Sequence, residues 1–315
     1  MHRVAEAISL AERAIGIDST LVNYDSSAPL STYDNVRNAD IHIAHTHVRD
    51  DFLNSLTTPY KLIWVSHGTP EHVFQGAVEA GQSGAYGHAD GWMLAQHWLR
   101  TAHAIVTFWP RHQYIWQSMC DKRTGVSCVP LGVDKSFWKP IPNSPPYVGN
   151  PSVLSCENPH YIKWPLDLLL AWPEVARSVP GAPCLHLAYL TQNLHRWFFP
   201  LVNRNGSSYT SYITTYPLQP ESLRGTMSGI NFFVGLVRYG DFNMLSHQAN
   251  ACGMKTISYH GNEYSDFWIH EGDQRNLAQE LTAILSGAVK PRAKSPIPDI
   301  SDTAKAMSSL YSSLS

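Results

Sequence analysis

"GDFNMLSHQANACGMKTISYHG", residues 240–261, joins two patterns across one glycine. Up to Cys252 the small and apolar residues follow the spacing of a buried helix, and Gly253 stops it in the way glycine ends helices. From Met254 to Tyr259 the residues are apolar or β-branched, which reads as a short strand. The stretch therefore predicts a helix over 243–252 that feeds a strand over 254–259. A helix passing straight into an apolar strand is half of a βαβ unit, and such strands lie in parallel sheets covered on both faces.

The same rhythm extends outward in both directions. Val4, Ile8, Ala11 and Ile15 recur at helical spacing, so 2–15 is an amphipathic helix. Strands are expected at 19–24, 40–46, 61–68 and 104–109, with helices at 88–102 and 110–120. Residues 126–151 carry prolines at 130, 140, 142, 145, 146 and 151 and read as an extended linker. Alternation then resumes, with strands at 152–156, 184–190, 211–216, 230–235 and 254–259. Helices are expected at 165–178, 220–228, 243–252 and 273–286. Residues 290–301 form a second linker, and 302–314 a terminal helix.

This organisation predicts an α/β protein of two doubly wound, Rossmann-like domains. The expected divisions are an N-terminal domain over 1–135, a linker over 136–151, a second domain over 152–289, and a tail over 290–315 that returns to the first domain. At 315 residues, 43% hydrophobic and 15% charged, the chain has core enough for two domains and little disorder. A net charge of −2 gives no global pull toward nucleic acid or anionic membrane. The five cysteines are scattered without a Cys-x-x-Cys pair, which argues against a disulfide framework and a zinc knuckle. No apolar run reaches the length of a membrane span, and the opening helix is too charged for a signal peptide, so a cytoplasmic location is expected.

Four stretches, in order, carry a resemblance to a known family: "KLIWVSHGTPEHVF", "AHAIVTFWPRHQYIW", "VSCVPLGVDKSFWKP" and "GDFNMLSHQANACGMKTISY". They resemble the corresponding segments of the retaining glycosyltransferases of family 4, whose fold is the two-Rossmann-domain arrangement called GT-B. Phe242, Ala249, Ala251, Cys252 and Gly253 match the family pattern in place. Leu131 stands where the family has Asn. The family begins with a strand and a Gly-rich loop ahead of its first helix, whereas this sequence opens inside that helix.

The resemblance implies transfer of a sugar from a nucleotide-diphospho sugar, such as a UDP- or GDP-sugar, with retention and with no metal or other cofactor. No Asp-x-Asp motif occurs in the chain. The departing diphosphate needs positive charge and helix N-termini around it. On the family pattern, Lys163 and Asn158 take the places of a Lys and an Arg, and Gly240, Phe242, Asn243 and Met244 form the loop and helix start beside the phosphates. The family's two glutamates fall on Gly240 and Gln248. Gln248 still accepts hydrogen bonds through its carbonyl oxygen, without the gain that charge brings. Asp241 is the nearest carboxylate to the missing acid. Tyr216 and Leu218 are the candidates beside the base. Arg238 and Lys255 flank this segment as candidates for the missing positive charge, with surface placement as their default reading.

His67 closes the apolar strand "LIWVSH" and should stand at the carboxyl end of the sheet, where open α/β folds bind ligands. With Asp241 it is the candidate catalytic residue. His45, His47, Trp92 and Arg111 are candidates on the acceptor side. His45 and His47 have a spacing that can hold a metal, but no motif supplies a third ligand, so a polar wall is preferred. Residues 100–139 hold six basic residues against two acidic, which keeps a polyanionic acceptor open. The compact form also resembles phage transferases that glycosylate hydroxymethylated DNA bases; a small sugar or metabolite is the other class. Alternatives to transfer are a nucleotide-sugar epimerase or hydrolase of the same fold, and a silent sugar-nucleotide binder.

Overall fold

The computed structural model describes residues 2–25, 27–45, 48, 50–56, 59–67, 99–120, 124–156, 166–188, 210–212, 219–237 and 243–314. The chain divides into two units, one made of residues 1–132 and 298–315, the other of 133–297.

The first unit opens with α1 (His2–Ala14), whose Ala5, Ile8 and Ala11 form the buried stripe that the spacing predicts. Its described strands are β1 (Ile41–Ala44), β2 (Lys61–Ser66), β3 (Ala104–Thr107) and β4 (Gly125–Cys128), all parallel and in the order β1-β2-β3-β4. Short α2 (Asp50–Asn54) precedes β2, and α3 (Pro110–Met119) follows β3 with a proline in its first turn, where no N–H is needed. Leu62, Trp64 and Ile105 pack on Phe52, Ala102 and Trp116 on one side of the sheet.

Two expectations fail here. Residues 19–24 form no strand, although Thr20, Leu21 and Val22 have the composition of one. Strand propensity yields a strand only where a neighbour completes the ladder, and among the described strands β1 pairs with β2 alone. The proline-rich linker also starts later than expected, because Gly125–Cys128 joins β3 as β4.

The second unit contains β5 (Ser152–Ser155), α4 (Leu166–Ser178), β6 (Cys184–Leu187), β7 (Thr210–Tyr212), α5 (Pro220–Gly229), β8 (Phe232–Gly235), α6 (Met244–Ala251), β9 (Lys255–Tyr259), β10 (Phe267–Ile269) and α7 (Gln274–Leu285). The described strands are parallel in the order β10-β9-β8-β5-β6-β7. Both faces are apolar, as a buried parallel sheet requires. Val153, Phe232 and Val234 meet α4 and α7, while their neighbours Leu154 and Phe233 meet α5 and α6. Strand β10 was not expected; three residues between turns are too few to show a period.

The tail forms α8 (Ile300–Leu314), which packs on α1 within the first unit. Thr303 is fully buried, donating its hydroxyl to the Pro130 carbonyl (2.7 Å) and accepting from the Gly132 N–H (2.8 Å). A Cβ on Gly132 would meet the Asp299 carbonyl oxygen at 2.2 Å, so the approach is open only to glycine. Tyr311 donates its hydroxyl to Glu12 of α1.

Candidate active site

In the first unit the site is built at the carboxyl ends of two neighbouring strands. His45 follows β1 and His67 follows β2, and His45 Nδ1 lies 2.9 Å from His67 Nε2. The parallel register pairs Ala44 with Trp64, which brings the two strand ends side by side. Ser66 is pinned by a hydrogen bond from Trp116 Nε1 (3.0 Å), and the His67 ring lies 5.7 Å from that of Phe108. Burial lowers the His45 pKa to about 4; burial, then the neighbouring His45, lower that of His67 to about 3.

Both imidazoles are therefore neutral at pH 7, and the bond between them links their tautomers. If His45 Nδ1 donates, His67 carries its proton on Nδ1; if His67 Nε2 donates, His45 carries its proton on Nε2. In either state the pair presents one donor and one acceptor at its two outer nitrogens. That suits binding a sugar hydroxyl, and it does not suit supplying a proton as a charged acid.

In the second unit the strand order reverses between β5 and β8, which run to opposite sides of the sheet through β6 and β9. The carboxyl ends of β5 and β8 flank this switch point, the place where open α/β sheets receive ligands. The helix that follows β8 is α6. Its N-cap Asn243 is buried and accepts from the Leu245 N–H (3.0 Å). Gly235, the last residue of β8, lets that first turn come close: a Cβ there would meet Phe233 Cε1 at 2.7 Å, Asn243 Nδ2 at 2.7 Å and Ser246 Oγ at 3.0 Å. Ser246 Oγ is buried and meets no hydrogen-bond partner among the described residues. Asn243 takes the N–H groups of Leu245, Ser246 and His247, so among the described residues the helix start leaves the Met244 N–H and a buried hydroxyl beside the switch point, a setting for one phosphate oxygen.

Of the residues singled out in the sequence, Asn243, Met244 and Gln248 share α6 and its cap, with Met244 and Gln248 half-buried. His45 and His67 are brought together. Arg111 is exposed in the first turn of α3. His47, Trp92, Asn158, Lys163, Tyr216, Leu218, Arg238, Gly240, Asp241 and Phe242 lie outside the described residues. Lys255 is exposed, which is its default reading: it opens β9 at the amino end of the sheet, its ammonium 5.5 Å from the Phe232 ring. A cavity of 860 Å³ lined by Asn231, Phe232 and Lys255 lies at those amino ends too, away from the switch point. The basic residues of 100–139 do not share one unit, since Lys135 and Lys139 belong to the second.

Sequence reasoning missed Ser246, Gly235 and the contact between His45 and His67. The signal for the last was a histidine directly after each of two successive strands. Among the described residues no group of three or more His, Cys, Asp or Glu is placed to hold a metal, and no helix is long and apolar enough to cross a membrane.

No family model and no curated protein sequence matches the chain. Solved structures do. Anabaena HepE in complex with UDP and glucose is 15% identical, with a TM-score of 0.66 over 90% of this chain and 80% of that one. Sucrose-phosphate synthase from Thermosynechococcus elongatus is 16% identical, with a TM-score of 0.62 over 84% and 67%. A glycosyltransferase from Rickettsia africae is 11% identical, with a TM-score of 0.62 over 100% and 90%. At such identities the likeness is one of fold, and the fold of this chain is GT-B, two parallel α/β units of Rossmann type.

Proposed function

We propose that the protein is a glycosyltransferase that takes a sugar from a nucleotide-diphospho sugar and passes it to an acceptor with retention. The observation that carries this reading is the start of α6, where a cap, a buried hydroxyl with no partner among the described residues and a glycine-tight approach stand beside the switch point of the second sheet. The diphosphate binds there, with Lys163 and Asn158 adding to the Met244 N–H and Gln248 accepting from the ribose. Tyr216 and Leu218 sit against the base. His67, held by His45, bonds the donor sugar, and Asp241 is the carboxylate nearest the missing family acid.

Support comes from the fold shared with HepE, which has been solved with UDP-glucose as well as with UDP and glucose. Charge on the leaving diphosphate is met by protein groups, so transfer needs no divalent metal. Calorimetry with UDP, GDP and ADP, followed by incubation with their sugars, tests the reading. The acceptor arms are small saccharides and hydroxymethylated DNA, each with and without chelator. Nucleoside diphosphate release that depends on an acceptor and survives chelation is expected. Release without any acceptor product shows a hydrolase, conversion of the donor to its sugar epimer without release shows an epimerase, and tight binding with neither shows a silent binder; each of these results overturns transfer. The lack of both family glutamates makes the last outcome the second reading.

A further inference from the structure

The contact between His45 and His67 offers more than a grip on a hydroxyl. Nδ1 of the first ring faces Nε2 of the second at 2.9 Å, with 5.1 Å between the ring centroids and 38° between their planes. Each histidine directly follows its strand, so the pairing of Ala44 with Trp64 holds the two rings to this spacing. Among the described residues neither ring makes a further hydrogen bond, which leaves His45 Nε2 and His67 Nδ1 without a hydrogen-bond partner there. The sequence put His47 beside His45 as a ligand pair; the register puts His67 there.

Two facing imidazole nitrogens hold either a proton or a metal ion between them. An ion such as Zn²⁺ sits about 2.0–2.1 Å from each nitrogen, which at a tetrahedral angle places the nitrogens about 3.3 Å and the ring centroids about 5.2 Å apart. The centroids already have that separation, so the rings need only pivot and part their nitrogens by about 0.4 Å. The shared proton passes to the outer nitrogen of its own ring, and none leaves the protein. Burial keeps both rings neutral at pH 7, so no bound proton competes with the ion. A second histidine pair, His260 and His270, lacks this geometry. Its rings are stacked, 6.3 Å apart and 24° from parallel, so the in-plane lone pairs run side by side, and His270 Nδ1 is bonded to Glu280 (2.6 Å).

We propose that His45 and His67 together bind one transition-metal ion of the class that imidazole prefers, Zn²⁺, Ni²⁺ or Cu²⁺, with water completing its shell. A donor set of two neutral nitrogens suits these ions and not Mg²⁺ or Ca²⁺, which take oxygen. Two protein ligands make a weak, exchangeable site, unlike the four of a structural zinc. The bound ion turns both outer nitrogens into donors, where the free pair has one donor and one acceptor. It also sets positive charge beside a sugar whose anomeric carbon turns positive, so it inhibits transfer reversibly; this consequence, unlike the binding, rests on the function proposed above.

The test is calorimetry of the metal-free full chain with Zn²⁺, beside His45→Gln, His67→Gln and the surface control His270→Ala. Binding of one ion per chain at micromolar concentration is expected for the protein and for His270→Ala, with affinity at least about tenfold lower in each glutamine variant. Acylation by diethyl pyrocarbonate, which attacks an imidazole nitrogen that carries no proton, needs no variant. Saturating Zn²⁺ should stop it at both residues, read by peptide mass, since both outer nitrogens then carry protons. Three results overturn the proposal: no saturable binding below about 1 mM, binding that both glutamine variants keep, or acylation at 45 and 67 that Zn²⁺ leaves unchanged. Sugar transfer undiminished at saturating Zn²⁺ overturns the inhibition. Zn²⁺ bound by a chain that transfers no sugar supports the site and refutes the transfer, and transfer by a chain that binds no Zn²⁺ does the reverse.

Discussion

Replacing Gly235 by alanine tests whether the start of α6 is where the diphosphate sits. The new methyl group would stand 2.7 Å from Phe233 Cε1 and from Asn243 Nδ2, and 3.0 Å from Ser246 Oγ. Carbon atoms rest at about 3.5–4.0 Å, so the ring contact is short by about 1 Å. Phe233 is fully buried and Asn243 nearly so, which leaves neither room to swing away. The first turn of α6 must move off the strand, and overpacking of this kind costs about 2 kcal/mol. For a unit of this size that lowers Tm by about 4–8 °C. The Met244 N–H moves with the turn, so UDP affinity should fall about tenfold beyond what partial unfolding explains, measured by calorimetry well below Tm. A drop in Tm with UDP affinity unchanged would refute the placement of the phosphates. No change in either would refute the packing argument itself.

Acid should weaken the fold through its histidines. The pKa values of His45 and His67 are held at about 4 and about 3 by burial, and burial also lowers those of His42, His103 and His186. Between pH 6.5 and 4 the unfolded chain binds more protons than the folded one, so stability rises with pH there. It is fully present above pH 6.5 and is lost on descent, by on the order of 5 kcal/mol at pH 4.5 for the His45–His67 pair together. Thermal melts of the protein and of His67→Asn from pH 7.5 to 4.5 check this, with equal slopes counting against it. Thr303→Val strips the buried Pro130 carbonyl and Gly132 N–H of their partner, costs about 1–3 kcal/mol and should open 298–315 to proteolysis; an unchanged digestion pattern would refute it. Lys163→Ala should weaken nucleotide diphosphate binding by about 2 kcal/mol, close to thirtyfold, and unaltered calorimetry removes it from the donor site.

Much of the fold was legible because parallel sheets write themselves plainly. Strands buried on both faces, such as 152–155 and 232–235, are apolar without interruption, and Gly253 marks where helix gives way to strand. Residues 19–24 misled for a physical reason: composition reports fitness for a ladder, and the ladder depends on a neighbour elsewhere in the chain. Strand β4 was obscured by the prolines that follow it. The places of Asn243 and Gln248 on α6 and its cap were readable from their offset to Cys252-Gly253. Gly235 and Ser246 were not, because their value lies in a separation of helix and strand that no spacing encodes. The histidine contact spans 22 residues and becomes visible only once the register of β1 on β2 is known.

The return of 298–315 to the first unit bears on how the protein is made. Residues 133–297 are contiguous, so every strand and helix of that unit has been synthesised before any residue of α8 is added. The first unit begins to emerge earlier and is completed later. Until α8 arrives, the Gly132 N–H lacks the Thr303 hydroxyl and Glu12 lacks Tyr311. Synthesis order and folding order are therefore reversed, and the segment that leaves the ribosome first waits longest to reach its final state. A released chain that ends at residue 297 should hold a protease-resistant second unit and a first unit that is still cleavable.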